Sequence, residues 1–204
     1  MALTCAGCGH YRAETGTGDR RRCLHCGRPA RPDRRPLLVI TGAAAAGKST
    51  VCAALAGTAG LLALDGDVLA AGAAAAERQD YPGFWRWLLQ LAREVQDNGL
   101  VTAYCGVGLP EQVLGHPEVD CFAGIHFLAL VSGPETVRAR IEARRDSGAS
   151  RHRLDLHLRI DETLRQVRVP APHSITVLDT SRLSPVETVT EALSWAGSAA
   201  SLRP

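Results

Sequence analysis

Lysine is almost missing from this chain of 204 residues: 22 of its 23 basic side chains are arginine, which leaves Lys48 alone. A sequence that uses arginine at every other basic position has kept the compact ammonium only where a broad, planar guanidinium would not fit. Long apolar runs are missing too. None approaches the roughly 20 residues that a bilayer-spanning helix requires. The N-terminus is rich in Cys, Gly and Arg and has no secretory-signal pattern, so the expected setting is cytoplasmic, without membrane attachment. In such a setting seven cysteines point to metal binding or free thiols before disulfides. There is no internal repeat, which excludes a solenoid or propeller.

What is present begins at the solitary lysine. Gly42-Ala43-Ala44-Ala45-Ala46-Gly47-Lys48-Ser49 follows the apolar stretch Leu37 to Thr41 and precedes a helix-prone run starting at Thr50. This is G-x-x-x-x-G-K-S in a strand, loop, helix setting, the pattern of a phosphate-binding P-loop. Its glycines let the backbone turn inward and aim successive N–H groups, through Thr50, at a triphosphate, while the helix adds the positive end of its dipole. The Lys48 ammonium reaches the β- and γ-phosphates, and the Ser49 hydroxyl takes a Mg²⁺ position.

Charge divides the chain near residue 36. Residues 1–36 hold eight Arg against three acids (+5), and the rest holds 15 basic against 18 acidic groups (−3). Within the first part, Cys5-x-x-Cys8-Gly9 and Cys23-x-x-Cys26-Gly27 are two knuckles fourteen residues apart, each able to present two sulfurs to one metal. Four thiolates suit tetrahedral Zn²⁺ in a closed, structural site. The pattern resembles zinc ribbons. So short a module cannot bury enough apolar surface by itself, and metal binding would supply its folding energy. His10 and His25 are read as bystanders or second-sphere neighbours of the sulfurs. Arg20 to Arg22, with Arg12 and Arg28, form a solvated basic face or a nucleic-acid contact; with Tyr11 as the only nearby aromatic, the solvated face is favoured. The expected boundaries are a ribbon over 1–28, a Pro- and Arg-rich linker over 29–36, a P-loop domain over 37–197 and a frayed tail over 198–204.

Strands are expected over 37–41, 61–64, 100–105, 125–131 and 174–181, with helices over 48–58, about 84–95, from about 134, about 154–168 and 185–195. Trp85, Leu88, Leu89, Ala92 and Val95 recur at helical spacing, either as core or as a wall for a substrate ring with Arg86 and Arg93. The third strand ends in Cys105-Gly106 and lacks the acidic pair of a motor ATPase. Cys52, Cys105 and Cys121 lack C-x-x-C partners and read as buried packing. Glu111 suits the first turn of a helix.

The second strand ends in Leu64-Asp65-Gly66-Asp67. Two acids at a strand's carboxyl end lie where open α/β sheets bind ligands. With the P-loop, this run resembles the small P-loop kinases of the nucleoside-monophosphate-kinase-like superfamily: adenylylsulfate kinase carries the same L-D-G-D, and gluconate kinase, chloramphenicol phosphotransferase and polynucleotide 5′-kinase carry related acids. The resemblance implies an α/β P-loop NTPase fold, its five parallel strands in the order 2-3-1-4-5. It implies Asp67 as the base or hydroxyl-orienting group, with Asp65 as its partner; helix capping is the competing role for Asp67. It also implies an Arg-rich lid after the fourth strand, in which Arg144, Arg151 and Arg153, with Arg145 behind them, close over ATP.

The function so implied is ATP- and Mg²⁺-dependent transfer of a γ-phosphoryl group to a hydroxyl or phosphate of a small molecule: a nucleoside, nucleotide, sugar or antibiotic-like metabolite. Two rivals stand beside it, a nucleic-acid 5′-end kinase that grips a strand with the basic ribbon, and a nucleotide-switched module that binds a partner protein. The sequence leaves monomer and homodimer equally open.

Overall fold

The computed structural model describes residues 8, 10, 14–15, 22–28, 34–74, 81–143 and 154–201. Two short antiparallel strands, β1 (Glu14–Thr15) and β2 (Arg22–Cys23), belong to the N-terminal module. The larger sheet has five parallel strands: β3 (Leu37–Gly42), β4 (Leu61–Asp65), β5 (Val101–Cys105), β6 (Ile125–Val131) and β7 (Ser174–Asp179). Their order is β4-β5-β3-β6-β7. Counted within the domain this is second, third, first, fourth, fifth, the expected arrangement.

Helices α1 (Lys48–Leu55), α2 (Gly66–Ala74), α3 (Tyr81–Asp97), α4 (Pro110–Leu114), α5 (Pro134–Ala143), α6 (Leu154–Gln166) and α7 (Pro185–Ser201) flank the sheet. A 3₁₀ turn spans Pro117–Cys121. None of the described helices is long and apolar enough to cross a membrane.

The central strand β3 is buried along its whole length because both of its faces are covered. Side chains alternate across a strand, so Leu38 and Ile40 join Val51, Cys52 and Leu55 of α1 and Ala192, Ala196 and Ala199 of α7. Leu37 and Val39 point the other way, onto Trp85, Leu88, Leu89 and Ala92 of α3. The apolar stripe of α3 is therefore core; Trp87 lies off it and stays 45% exposed.

Several ends differ from the sequence reading, each for a local reason. Helix α1 stops at Leu55, three residues before the expected 58, and turns out through Gly60 at φ +80°. Strand β7 stops at Asp179, because Thr180 and Ser181 are taken up by side-chain hydrogen bonds. Helix α7 continues past Gly197 to Ser201, since Ala196 and Ala199 extend its buried stripe against α1, so residues 198–201 are not frayed. In the segment read as linker, the Arg35 N–H donates to Gln96 Oε1 at 3.0 Å and its carbonyl accepts from Ala123 N–H at 3.1 Å.

Candidate active site

The loop after β3 is shaped by what its glycines permit. Gly42, at φ +155°, passes so close to β6 that a Cβ there would meet the Leu130 carbonyl oxygen at 2.4 Å. Gly47 takes φ +104° and caps α1, and Ala45 is the one described non-glycine residue with positive φ, at 62°. A left-handed residue flanked by glycines curls the backbone into a concavity of N–H groups. The Lys48 ammonium folds back over it and donates to the carbonyls of Gly42 (3.0 Å) and Ala43 (2.7 Å). Ser49 and Thr50, in the first turn of α1, are exposed beside it.

Asp65 ends β4, aligned with Cys105 of β5, which in turn pairs with Ile40 of β3 just before the loop. Two inter-strand spacings, roughly 10 Å, therefore separate the acid from the loop strand. Asp65 is also the cap of α2: its Oδ1 accepts from the N–H groups of Asp67 (2.8 Å) and Val68 (3.4 Å). The capping role weighed for Asp67 thus falls to Asp65, and Asp67 stands exposed in the first turn of α2.

The floor between them is closed by small residues under large ones. A Cβ on Gly106 would lie 2.2 Å from the Tyr104 hydroxyl, and one on Gly66 2.7 Å from it. Gly108 lies under the Trp85 indole and exchanges hydrogen bonds with Thr41, whose hydroxyl donates to the Gly108 carbonyl (2.8 Å) and accepts from its N–H (3.1 Å). The loop after β5 is thereby stapled to the strand that leads into the Gly42–Ser49 loop. Beneath it the Cys105 thiol touches Cys52; that contact and burial push its pKa far up, with Asp65 raising it further and Lys48 opposing. Opposite charges from the acid and the lysine thus both reach this strand end. Glu111 does lie in the first turn of α4.

Arg144, Arg145, Arg151 and Arg153, the arginines expected in a lid, lie outside the described residues. Two other arginines are committed to structure. Arg140 donates to the hydroxyl (3.0 Å) and carbonyl (2.7 Å) of Thr180. Arg165 bridges Asp161 and Asp179, both at 3.1 Å. The buried Asp161 also accepts from Ser132 N–H at 2.9 Å, which anchors α6 to the end of β6. Sequence reasoning overlooked His157: its Nδ1 accepts a hydrogen bond from the Ala44 N–H of the Gly42–Ser49 loop at 3.4 Å.

In the N-terminal module the ligand atoms of Cys8, Cys23 and Cys26 lie within 4.8 Å of one another. Cys8 Sγ and Cys23 Sγ are 3.8 Å apart. Sulfurs bound about 2.3 Å from one tetrahedral ion are separated by about 3.8 Å, so this pair fits zinc. Gly27, at φ +70°, turns its N–H back to the Cys23 carbonyl at 2.8 Å, which folds the backbone under the sulfurs. His10 and His25 stack on each other, centroids 3.5 Å apart. Cys5 lies outside the described residues.

No protein-family model and no curated protein matches the chain. Solved structures do. A sugar kinase from Janibacter sp. HTCC2649 aligns at a TM-score of 0.60 and 19% identity, over 81% of this chain and 95% of that one. The tunicamycin resistance protein of Deinococcus radiodurans aligns at 0.55 and 16% identity, over 84% and 99%. The likeness is one of fold.

Proposed function

We propose that the chain is a small-molecule kinase that transfers the γ-phosphoryl group of ATP, with Mg²⁺, to a hydroxyl or phosphate of a nucleoside, nucleotide, sugar or antibiotic-like metabolite. The observation that carries this reading is the placement, at the carboxyl ends of β3 and β4 in one parallel sheet, of the Gly42–Ser49 loop with its lysine and of the turn that presents the exposed Asp67. The fold it shares with the Janibacter sugar kinase supports it.

In the reaction the loop amides and Lys48 would hold the triphosphate, and Ser49 would hold the Mg²⁺, which when bound would supply charge neutralisation at the phosphoryl oxygens. Asp67 takes the proton of the acceptor O–H as that oxygen bonds to the γ-phosphorus. The bond from the γ-phosphorus to the bridging oxygen breaks, and ADP leaves with the electron pair. Asp65 holds the first turn of α2, and with it Asp67, in place. Arg144, Arg151 and Arg153 are assigned to the lid.

The N-terminal module is assigned a structural Zn²⁺ on Cys5, Cys8, Cys23 and Cys26. The deciding experiment measures ATP consumption by the full chain against a panel of nucleosides, nucleotides, sugars and antibiotics, with mass detection of the phosphorylated product. A chain that neither binds Mg·ATP nor phosphorylates any member would end the proposal.

A further inference from the structure

The inner face of α6 is set by Ile160 and Leu164, which pack on Ala129 and Val131 of β6, and by the buried Asp161 that holds Ser132 N–H. His157 lies three and four residues before Ile160 and Asp161, so it continues the same face one turn toward the phosphate loop. Packing, rather than chance approach of a surface side chain, places its imidazole against Ala44.

That partner is informative. The loop N–H groups are the donors a triphosphate would take, and the Ala44 N–H is one of them. An acceptor atom on that N–H from the α6 side stands where a phosphoryl oxygen would be received. With Nδ1 accepting, the neutral ring carries its proton on Nε2. The loop and α6 therefore face each other across one acceptor position.

We propose that His157 is a phosphate-contacting residue of this site: the terminal phosphoryl group takes over the Ala44 N–H, and the imidazole turns to donate a ring N–H to an oxygen of that group. This rests on the kinase reading of the loop. It gives the described part of the lid a direct role, on a helix already fixed to the sheet, and it assigns a donor among residues where arginine is otherwise the rule. Arg140 and Arg165, the neighbouring cations on α5 and α6, are bound to Thr180, Asp161 and Asp179 instead.

The test is calorimetric titration of the full-length protein and its His157→Ala and His157→Gln variants with ATP and with ADP, in excess Mg²⁺ and without acceptor. Loss of a hydrogen bond to a charged oxygen should weaken ATP binding to His157→Ala about tenfold or more. ADP, which lacks the terminal group, should bind to within about twofold of the parent, a negligible difference in free energy. His157→Gln, which keeps an N–H donor, should recover part of the ATP affinity and provides the readout if the alanine variant does not fold. Unchanged ATP binding in both variants overturns the assignment. So does equal weakening for both nucleotides, which would make His157 a prop for the loop, and so does tighter binding, which would make it an obstruction. Failure of the parent protein to bind either nucleotide instead removes the kinase reading itself.

Discussion

The Asp65 carboxylate accepts the backbone N–H of Asp67 at 2.8 Å. One acid therefore fixes the turn that presents the other. Replacing Asp67 by Asn should lower the rate of phosphoryl transfer by about 10²- to 10⁴-fold, the usual weight of a positioned general base, and leave ATP affinity nearly unchanged. Asp65→Asn keeps a capping side chain, so its melting temperature should stay close to the parent's, whereas Asp65→Ala should lose about 1 kcal/mol of stability. Undiminished transfer by Asp67→Asn would remove that residue from the mechanism.

Lys48 sits on the carbonyls of Gly42 and Ala43, a position sized for an ammonium. Lys48→Ala should abolish turnover, and Lys48→Arg should not restore it, because the wider guanidinium cannot be held by the same loop. Steady-state rates of the two variants give the answer; a fully active arginine variant would contradict the account of the lone lysine.

Gly108 is under the Trp85 ring, with a Cβ at that position falling 2.5 Å from the indole Cζ2. Gly108→Ala should cost about 1–3 kcal/mol through overpacking. Trp85→Phe withdraws the crowded six-membered edge, so the double variant should lose less than the two single losses summed. Chemical denaturation of the four proteins in the cycle measures this coupling, and strict additivity would mean the contact carries no strain.

Zinc should be found at one ion per chain by elemental analysis of the purified protein. Cys8→Ser or Cys23→Ser should release it, since each removes one of two sulfurs that stand 3.8 Å apart. The ATP affinity of the P-loop domain should survive that loss. Retention of a full zinc equivalent by both variants would exclude these cysteines as ligands.

His126 and His173 give the fold a dependence on pH. Burial holds both below their ordinary value of 6.5; the charge of His173 lowers His126 further, and Asp120 partly opposes the shift at His173. Both are lowered, so the unfolded chain binds protons more readily than the folded one. Stability is then complete above about pH 6.5 and falls as pH drops below it, until the folded-state histidines also protonate. Melting temperatures should decline across that window, and His126→Gln should flatten the decline. An identical profile in the variant would assign the effect to other groups.

The two local geometries of the candidate site, the loop after β3 and the turn after β4, were legible along the chain because each is built from neighbours in sequence. Gly42 to Thr50 is a contiguous run whose backbone geometry follows from its own glycines, and Leu64 to Asp67 announces a strand end by composition alone. The five strands and the buried stripe of α3 were equally readable, since alternation and helical spacing are properties of neighbours in sequence. The division of labour between Asp65 and Asp67 was not, because either acid can cap a helix until the turn is built. His157 carried no signal at all: a histidine on an amphipathic helix becomes a phosphate-loop partner only when Ile160 and Leu164 dock on β6, more than a hundred residues after Ala44. Arg140 and Arg165, indistinguishable by composition from the other arginines of the chain, are likewise sorted only by long-range contacts, with Thr180 and with Asp161 and Asp179. The order of residues decided which chemistry was present, and long-range packing decided which side chains share it, because contacts across a sheet are set by register and not by distance along the chain.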